Sequence, residues 1–285
     1  MPDKNYCLIT GASEGFGKAL AIECATRKMN LILVDLPFSG LINVANFIKR
    51  EYQVNVVTVE KDLCKEEDCI ALFDEVSALN VKINLLINNA EIDSTLLFTE
   101  GSFLKFEKQI QLNILATTLI TRLFIGKLEK NGPSHILNVG SLNSFFFQAH
   151  KQVYGGTKSY IYFFSKSLRR ELKPEGINVS VICPGYMNTN PSIILNNQFG
   201  NRLVRLSVMN LEDVAHIAID GLLKRKEVII PGRLNKFFVL LNTLVPSFIV
   251  KMTTNIQNKR VSESVTKWDD LFDTIPHRQN EITAG

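Results

Sequence analysis

Apolar positions along the chain fall into two patterns. Short unbroken runs alternate with longer stretches in which apolar residues recur every three or four positions. An unbroken run suits a strand buried on both faces, and the wider spacing suits a helix with one buried face. The pattern predicts strands at Tyr6–Thr10, Leu31–Val34, Val54–Val59, Ile83–Ile87, His135–Val139, Ile177–Cys183 and Glu227–Ile230. Helices are predicted from the turn after Thr10 to about Lys28, then at Leu41–Glu51, Lys65–Leu79, Phe103–Glu129, Val153–Leu172 and Leu211–Leu223. Strict strand–helix alternation implies right-handed crossovers. The expected fold class is α/β: a doubly wound, mostly parallel seven-stranded sheet with helices on both faces. No internal repeat or low-complexity linker interrupts it.

The first strand ends in Thr10-Gly11-Ala12-Ser13-Glu14-Gly15-Phe16-Gly17. Glycines at this point let the chain turn off the strand, bring backbone close to a pyrophosphate and pack the next helix on the sheet. The helix start then offers free N–H groups and a positive dipole end to phosphates. A glycine pattern alone is a weak signal, but this one follows a strand and opens a helix. Asp35 ends the second strand, 18 residues after Gly17. A carboxylate there can accept hydrogen bonds from ribose hydroxyls and repel a 2′-phosphate. No Arg or Lys stands beside it or at Ser13 or Glu14, so the expected cofactor is NAD rather than NADP. Asp62 and Leu63, just past the third strand, are candidates to contact the adenine.

Tyr154 and Lys158 stand four residues apart in a helical stretch, so both side chains face one side. A free phenol, with a pKa near ~10, is a poor base at neutral pH. A neighbouring ammonium stabilises the phenolate and makes the tyrosine usable as a general acid or base. By itself Tyr-x-x-x-Lys is common, and its ordinary meaning is a tyrosine packed beside a solvated lysine. Its company changes this: the glycine turn, Asn88-Asn89-Ala90, Asn113, Ser141, Tyr154/Lys158 and Pro184-Gly185 follow in one order. In that combination, over roughly residues 4–232, the chain resembles the short-chain dehydrogenase/reductase superfamily in its compact form.

The resemblance implies a Rossmann-type fold and a nicotinamide-dependent oxidoreductase, moving a hydride between the cofactor and a carbonyl or secondary alcohol. It implies that Tyr154 exchanges the proton and that Lys158 activates it and holds the nicotinamide ribose. Ser141, 13 residues before Tyr154, would hold the substrate oxygen, and Asn113 a relay water. Asn88, Asn89 and Ala90 match the segment that passes beside the adenosine and supports the sheet. Pro184 and Gly185 match the turn beside the nicotinamide, and Thr189 a hydroxyl near its carboxamide. Three positions depart from the family. Glu91 stands where glycine is usual after Asn-Asn-Ala, which implies an altered approach to the cofactor or a local backbone change, and Gly155 and Gly156 replace small residues bearing a Cβ. The glycines imply a softer first helical turn or a close backbone approach there.

Composition narrows the setting. The chain has 285 residues, 46% hydrophobic and 21% charged, enough for a sizeable core. A net charge of +4 with mixed signs does not point to nucleic acid. Five cysteines without C-x-x-C spacing read as reduced thiols, and four histidines unclustered with them give no metal site. The polar start lacks a signal-peptide pattern, and Phe237–Val250 is short and interrupted by Asn242 and Pro246. These features favour a cytoplasmic protein.

Residues 1–232 are expected to form the dinucleotide-binding domain and 233–285 a helical extension with a polar tail. The apolar segment Arg233–Lys259, with basic flanks, resembles an extension found in lipid- and steroid-acting members. It reads first as a cover for the substrate pocket or a dimer contact, and second as a helix on a membrane surface. The tail beyond it is either loose or an arm docking on a neighbour. Phe145, Phe146 and Phe147 suit either a hydrophobic substrate or the core. The substrate is expected to be a small, hydrophobic carbonyl compound or alcohol. A homodimer or homotetramer follows from the resemblance. Three further readings stand beside these: a dinucleotide-binding regulatory protein without turnover, a membrane-surface lipid or steroid reductase, and an epimerase or dehydratase on the same fold.

Overall fold

The computed structural model describes residues 5–146, 148–188 and 207–244. Seven strands form one sheet: β1 (Asn5–Thr10), β2 (Asn30–Asp35), β3 (Val56–Glu60), β4 (Lys82–Asn88), β5 (Ser134–Val139), β6 (Ile177–Ile182) and β7 (Val228–Ile229). Their spatial order is β3-β2-β1-β4-β5-β6-β7, and every pairing is parallel. The central strands are apolar and buried along nearly their whole length, because helices cover both faces. Leu8, Ile9, Ile32 and Leu33 are fully buried.

The helices are α1 (Gly15–Thr26), α2 (Leu41–Tyr52), α3 (Glu66–Ala78), α4 (Phe103–Ile110), α5 (Thr117–Lys130), α6 (Gln152–Leu172), α7 (Leu211–Leu223) and α8 (Arg233–Leu244). One core joins the sheet to α1, α2 and α7, through Leu20, Cys24, Leu41, Ile48, Ala218 and Leu222 among others. The other joins it to α3, α5 and α6, through Leu72, Val76, Phe124, Leu128 and Leu168. Phe124 meets Phe73 edge-on, with ring centroids 5.3 Å apart.

Most boundaries fall within a residue or so of the pattern-based expectation, and two elements differ more. The long helix expected over Phe103–Glu129 is broken by a π turn at Gln111–Ala116, which inserts an extra residue per turn and re-aims the side chains within it. The third strand begins at Val56 rather than Val54 and ends at Glu60. The five cysteines are free thiols, four of them buried. Among the described residues no helix is long and apolar enough to cross a membrane.

The strand order reverses between β1 and β4. In open α/β sheets this switch point opens a crevice at the carboxyl ends of the strands, where ligands bind. Thr10, Asn88 and Val139 end β1, β4 and β5 at that edge.

Candidate active site

The glycine turn follows β1 directly. Gly11 has φ +67°, a conformation that residues with a Cβ rarely adopt, and its N–H donates to Val34 O at 2.8 Å. Gly17 lies so close beneath it that a Cβ there would stand 1.8 Å from Gly11 O. Helix α1 begins at Gly15 with no side chain capping its first turn and no acidic residue in it. Its leading N–H groups and dipole are therefore directed at the crevice without an internal anion. Ala12, Phe16 and Gly17 are buried, while Ser13 and Glu14 form the outer lip.

Asp35 sits beside this turn. Its Oδ2 accepts the Ser13 N–H and its Oδ1 the Leu36 N–H, both at 2.8 Å. Two backbone donors hold the carboxylate at the end of β2. Lys61, just past the neighbouring strand, is held by Glu75 at 2.5 Å. Asp62 Oδ1 accepts the Cys64 N–H at 3.1 Å. The Leu63 side chain is 5% exposed and packs in the core, so only its backbone stands at the strand end.

The Asn-Asn-Ala segment mainly braces. Asn89 Nδ2 donates to Thr10 O at 3.0 Å and Gly11 O at 2.9 Å, and the N–H groups of Asn89 and Ala90 donate to Thr10 Oγ1. Asn88 Nδ2 donates to Thr121 Oγ1 and Asn138 Oδ1, and Asn138 Nδ2 to Ser165 Oγ. This buried chain ties β4 and β5 to α5 and α6. Asn138, Thr121 and Ser165 carried no sequence motif; their one signal was polarity inside otherwise apolar runs.

Tyr154 and Lys158 lie in the first two turns of α6, both buried. Lys158 Nζ donates to Val139 O at 2.7 Å and ion-pairs with Glu91 Oε2. Its ammonium stands 5.6 Å from the centre of the Tyr154 ring, and that of Lys151 4.9 Å. Lys151 is itself paired with Asp93 at 2.7 Å. The Tyr154 hydroxyl donates to Glu91 Oε1 at 3.5 Å. Burial, then the Glu91 and Asp93 carboxylates, push the Tyr154 phenol well above its ordinary range, and its hydrogen bond with Ser141 opposes them; this is the reverse of the lowering expected from Lys158, whose ammonium is paired with Glu91. Ser141 Oγ also accepts the Asn143 N–H at 3.1 Å. A free phenol is thus surrounded by two carboxylates, two ammonium groups and one hydroxyl. From the sequence Glu91 was expected to alter the approach to the cofactor or the local backbone; the structure makes it a partner of both Tyr154 and Lys158.

Asn113 falls in the π turn. Its Oδ1 accepts the Ile92 N–H at 2.8 Å, and its Nδ2 donates to Ile92 O and to Thr157 Oγ1. It joins the loop carrying Glu91 to the helix carrying Tyr154. Pro184 is buried, and the Leu142 N–H donates to its carbonyl at 2.9 Å. A Cβ at Gly185 would lie 2.9 Å from Asn235 Nδ2, whose residue is 2% exposed at the start of α8. The opening turn of the extension thus packs on the Pro-Gly turn, a contact with no sequence signal. Thr189 and Phe147 lie outside the described residues. Phe145 meets Tyr162 edge-on at 4.8 Å and packs with Ile161, Val181 and Cys183, which places it in a small core.

The two helix glycines need no close approach. A Cβ on Gly156 would meet nothing within 4 Å, and one on Gly155 only Asn143 O at 3.7 Å. Gly156→Ala is therefore expected to stabilise the protein by about 0.5–1 kcal/mol, through lower unfolded-state entropy. Urea unfolding checks this; a loss of stability would show that the open space is needed.

A cavity of about 520 Å³ lies at the opposite edge of the sheet, lined by Asn5, Asn30, Asn84 and His135, and contains none of these groups. The chemistry gathers instead at the carboxyl edge, where a glycine cradle, an uncapped helix start and a tyrosine–lysine pair define a dinucleotide-dependent redox site.

The comparisons agree with that class. The chain belongs to the short chain dehydrogenase family, whose model matches residues 5–198. It is 30% identical over 191 residues to a 3-oxoacyl-[acyl-carrier-protein] reductase of Aquifex aeolicus, covering 67% of this chain and 77% of the relative. It is 32% identical over 190 residues to a very-long-chain 3-oxoacyl-CoA reductase-like protein of Arabidopsis thaliana, covering 65% of this chain and 60% of that relative. A short-chain dehydrogenase from Sphingobium yanoikuyae, solved in complex with NADPH, superposes with a TM-score of 0.71 and 26% identity, over 96% of this chain and 98% of that one. The protein is a nicotinamide-dependent oxidoreductase of this family, working between carbonyl and alcohol.

Proposed function

We propose that the protein reduces a hydrophobic carbonyl compound with NADH, Tyr154 supplying the proton. The observation that carries this is the hydrogen bond between the Tyr154 hydroxyl and Ser141, with the Lys158 ammonium 5.6 Å from the centre of the Tyr154 ring, at the carboxyl edge of the sheet. Bound NADH would supply the hydride. Ser141 holds the substrate oxygen, Tyr154 donates its proton to that oxygen, and Lys158 sustains the charge left on the phenol. The α1 N–H groups, with Gly11, Ser13, Gly15 and Gly17, hold the pyrophosphate. Asp35 takes the adenosine ribose, supported by the two backbone donors that fix it. Asn113 orients the loop after β4 against α6.

The 3-oxoacyl reductases among the relatives support an acyl-chain ketone as substrate class. Exposed Phe103, Leu104 and Phe163 on α4 and α6 support self-association as a homodimer or homotetramer. Residues 233–285 are taken as an extension to a 1–232 catalytic domain, supported by α8 starting at Arg233 beyond the last strand. Its exposed Phe237 and Leu240 support a cover for the substrate or a second surface. A cytoplasmic location is the accompanying reading.

Loss of NADH absorbance with a medium-chain 3-oxoacyl thioester and with bulky aryl ketones tests the substrate class. Turnover of either supports a hydrophobic carbonyl; turnover of small polar ketones alone contradicts it. Asp35→Ala is expected to weaken NADH binding roughly tenfold, or ~1.4 kcal/mol, and NADPH binding much less. Fluorescence titration with both cofactors checks it. An equal loss for both would remove Asp35 from the ribose role.

A further inference from the structure

The two groups assigned to the proton and to the ribose are both engaged by one side chain. Glu91 Oε2 pairs with Lys158 Nζ, and Glu91 Oε1 accepts from the Tyr154 hydroxyl. Lys158 has three donors; one goes to Val139 O and another to Glu91, within a side chain only 3% exposed. Glu91 reaches it from the loop after β4, with its own side chain 31% exposed. That loop is fixed one residue further on, where both Ile92 backbone groups bond the Asn113 side chain. The carboxylate is therefore delivered to Lys158 by an anchored backbone, and its free end can swing to solvent.

We propose that Glu91 is a positioning residue that occupies the cofactor's place on Lys158 and Tyr154 in the unloaded protein, and that NADH binds only as the carboxylate is displaced. This rests on the proposed function and on the nicotinamide-ribose role that the family resemblance implies for Lys158. An ion pair with one partner nearly out of water is stronger than an exposed one, since solvent screens it less. A ligand that needs Lys158 free binds with its affinity divided by the fraction of molecules in which the carboxylate is away. The displaced state also differs at Tyr154: one neighbouring carboxylate leaves and the ammonium turns toward the phenol. The other groups facing this phenol stay in place: Asp93 with its partner Lys151, and the Ser141 hydroxyl. The nearby Cys183 thiol, pushed up to about 12 by burial, remains neutral. Cofactor entry thus places an acid that had been held by Glu91 under the control of Lys158.

The test is a binding cycle on the full chain. NADH affinity is measured by cofactor fluorescence for the wild type, Glu91→Gln, Lys158→Met and the double variant, with circular dichroism to confirm folding. Glu91→Ala serves as a second variant where Glu91→Gln does not fold. The expected result is roughly tenfold tighter binding on removing the carboxylate, reduced to about twofold or less when Lys158 is already absent. A separate readout uses the cofactor-free protein. The tyrosinate absorbance lost in Tyr154→Phe should appear at lower pH in Glu91→Gln than in the wild type. Unchanged affinity overturns the proposal and leaves the oxidoreductase reading intact. So does an equal gain with and without Lys158, which is simple repulsion of a polyanion, or an unmoved tyrosinate signal. Binding by none of the four chains overturns the reading and the proposal together.

Discussion

Replacing Tyr154 with phenylalanine should reduce turnover by roughly 10²- to 10⁴-fold, the usual contribution of a positioned proton donor. NADH binding should change little, because the glycine cradle, Asp35 and Lys158 are untouched. The substitution removes one oxygen, which Glu91 and Ser141 now address, and leaves the ring in its buried place beside α6. Steady-state rates with a ketone substrate, beside a cofactor titration, separate the two effects. The pH dependence follows from the same surroundings. Burial and then two carboxylates push the phenol up in the cofactor-free protein, and burial and Asp93 still act once Glu91 is displaced, so the proton-donating form persists through neutral pH. Reduction should hold steady there and decline as the phenol ionises, while alcohol oxidation rises across that same alkaline range. A rate for Tyr154→Phe close to that of the wild type would remove the tyrosine from the mechanism.

Gly17→Val should damage fold and cofactor site together. Its first added atom would stand 1.8 Å from Gly11 O and 2.5 Å from Asn89 Nδ2. The near neighbour is backbone in a turn that is itself pinned to Val34 O and to Asn89, so it cannot rotate away. Helix α1 has to move off the sheet, at a cost of about 1–3 kcal/mol for overpacking or more. The same movement withdraws the N–H groups meant for the pyrophosphate. A lower urea midpoint with NADH binding lost is the expected result. A folded protein that binds NADH normally would mean that this close approach is dispensable. Gly156→Ala is the internal contrast, since the same added atom meets open space there.

Much of this architecture was legible because it depends on local chemistry and period. Buried parallel strands must be mostly apolar on both faces, so β1, β2, β4, β5 and β6 appear as nearly continuous apolar runs, correct to within a residue or two. Tyr154 and Lys158 share a helix face by spacing alone. What escaped depends on contacts between distant segments. The π turn over Gln111–Ala116 has no period of its own, and it places Asn113 on Ile92 and Thr157. Glu91 could be seen as a carboxylate in place of glycine, but not as a partner of Lys158, because that pairing joins the ends of β4 and the second turn of α6. Asn89 read as a cofactor contact, yet its side chain is engaged in holding the Gly11 turn. Leu63 likewise read as an adenine contact, but the core behind β3 takes its side chain. Asn235 looked like an ordinary polar residue in an apolar extension, although it is buried against the Pro184-Gly185 turn.

In the proposed function this edge of the sheet is a nicotinamide site read by Asp35 and served by Tyr154. Fluorescence titration of the purified chain with NADH and NADPH tests it without knowledge of the substrate. Saturable binding of both is expected, tighter for NADH, with that preference lost in Asp35→Ala. Saturation by neither cofactor in the folded protein would contradict it.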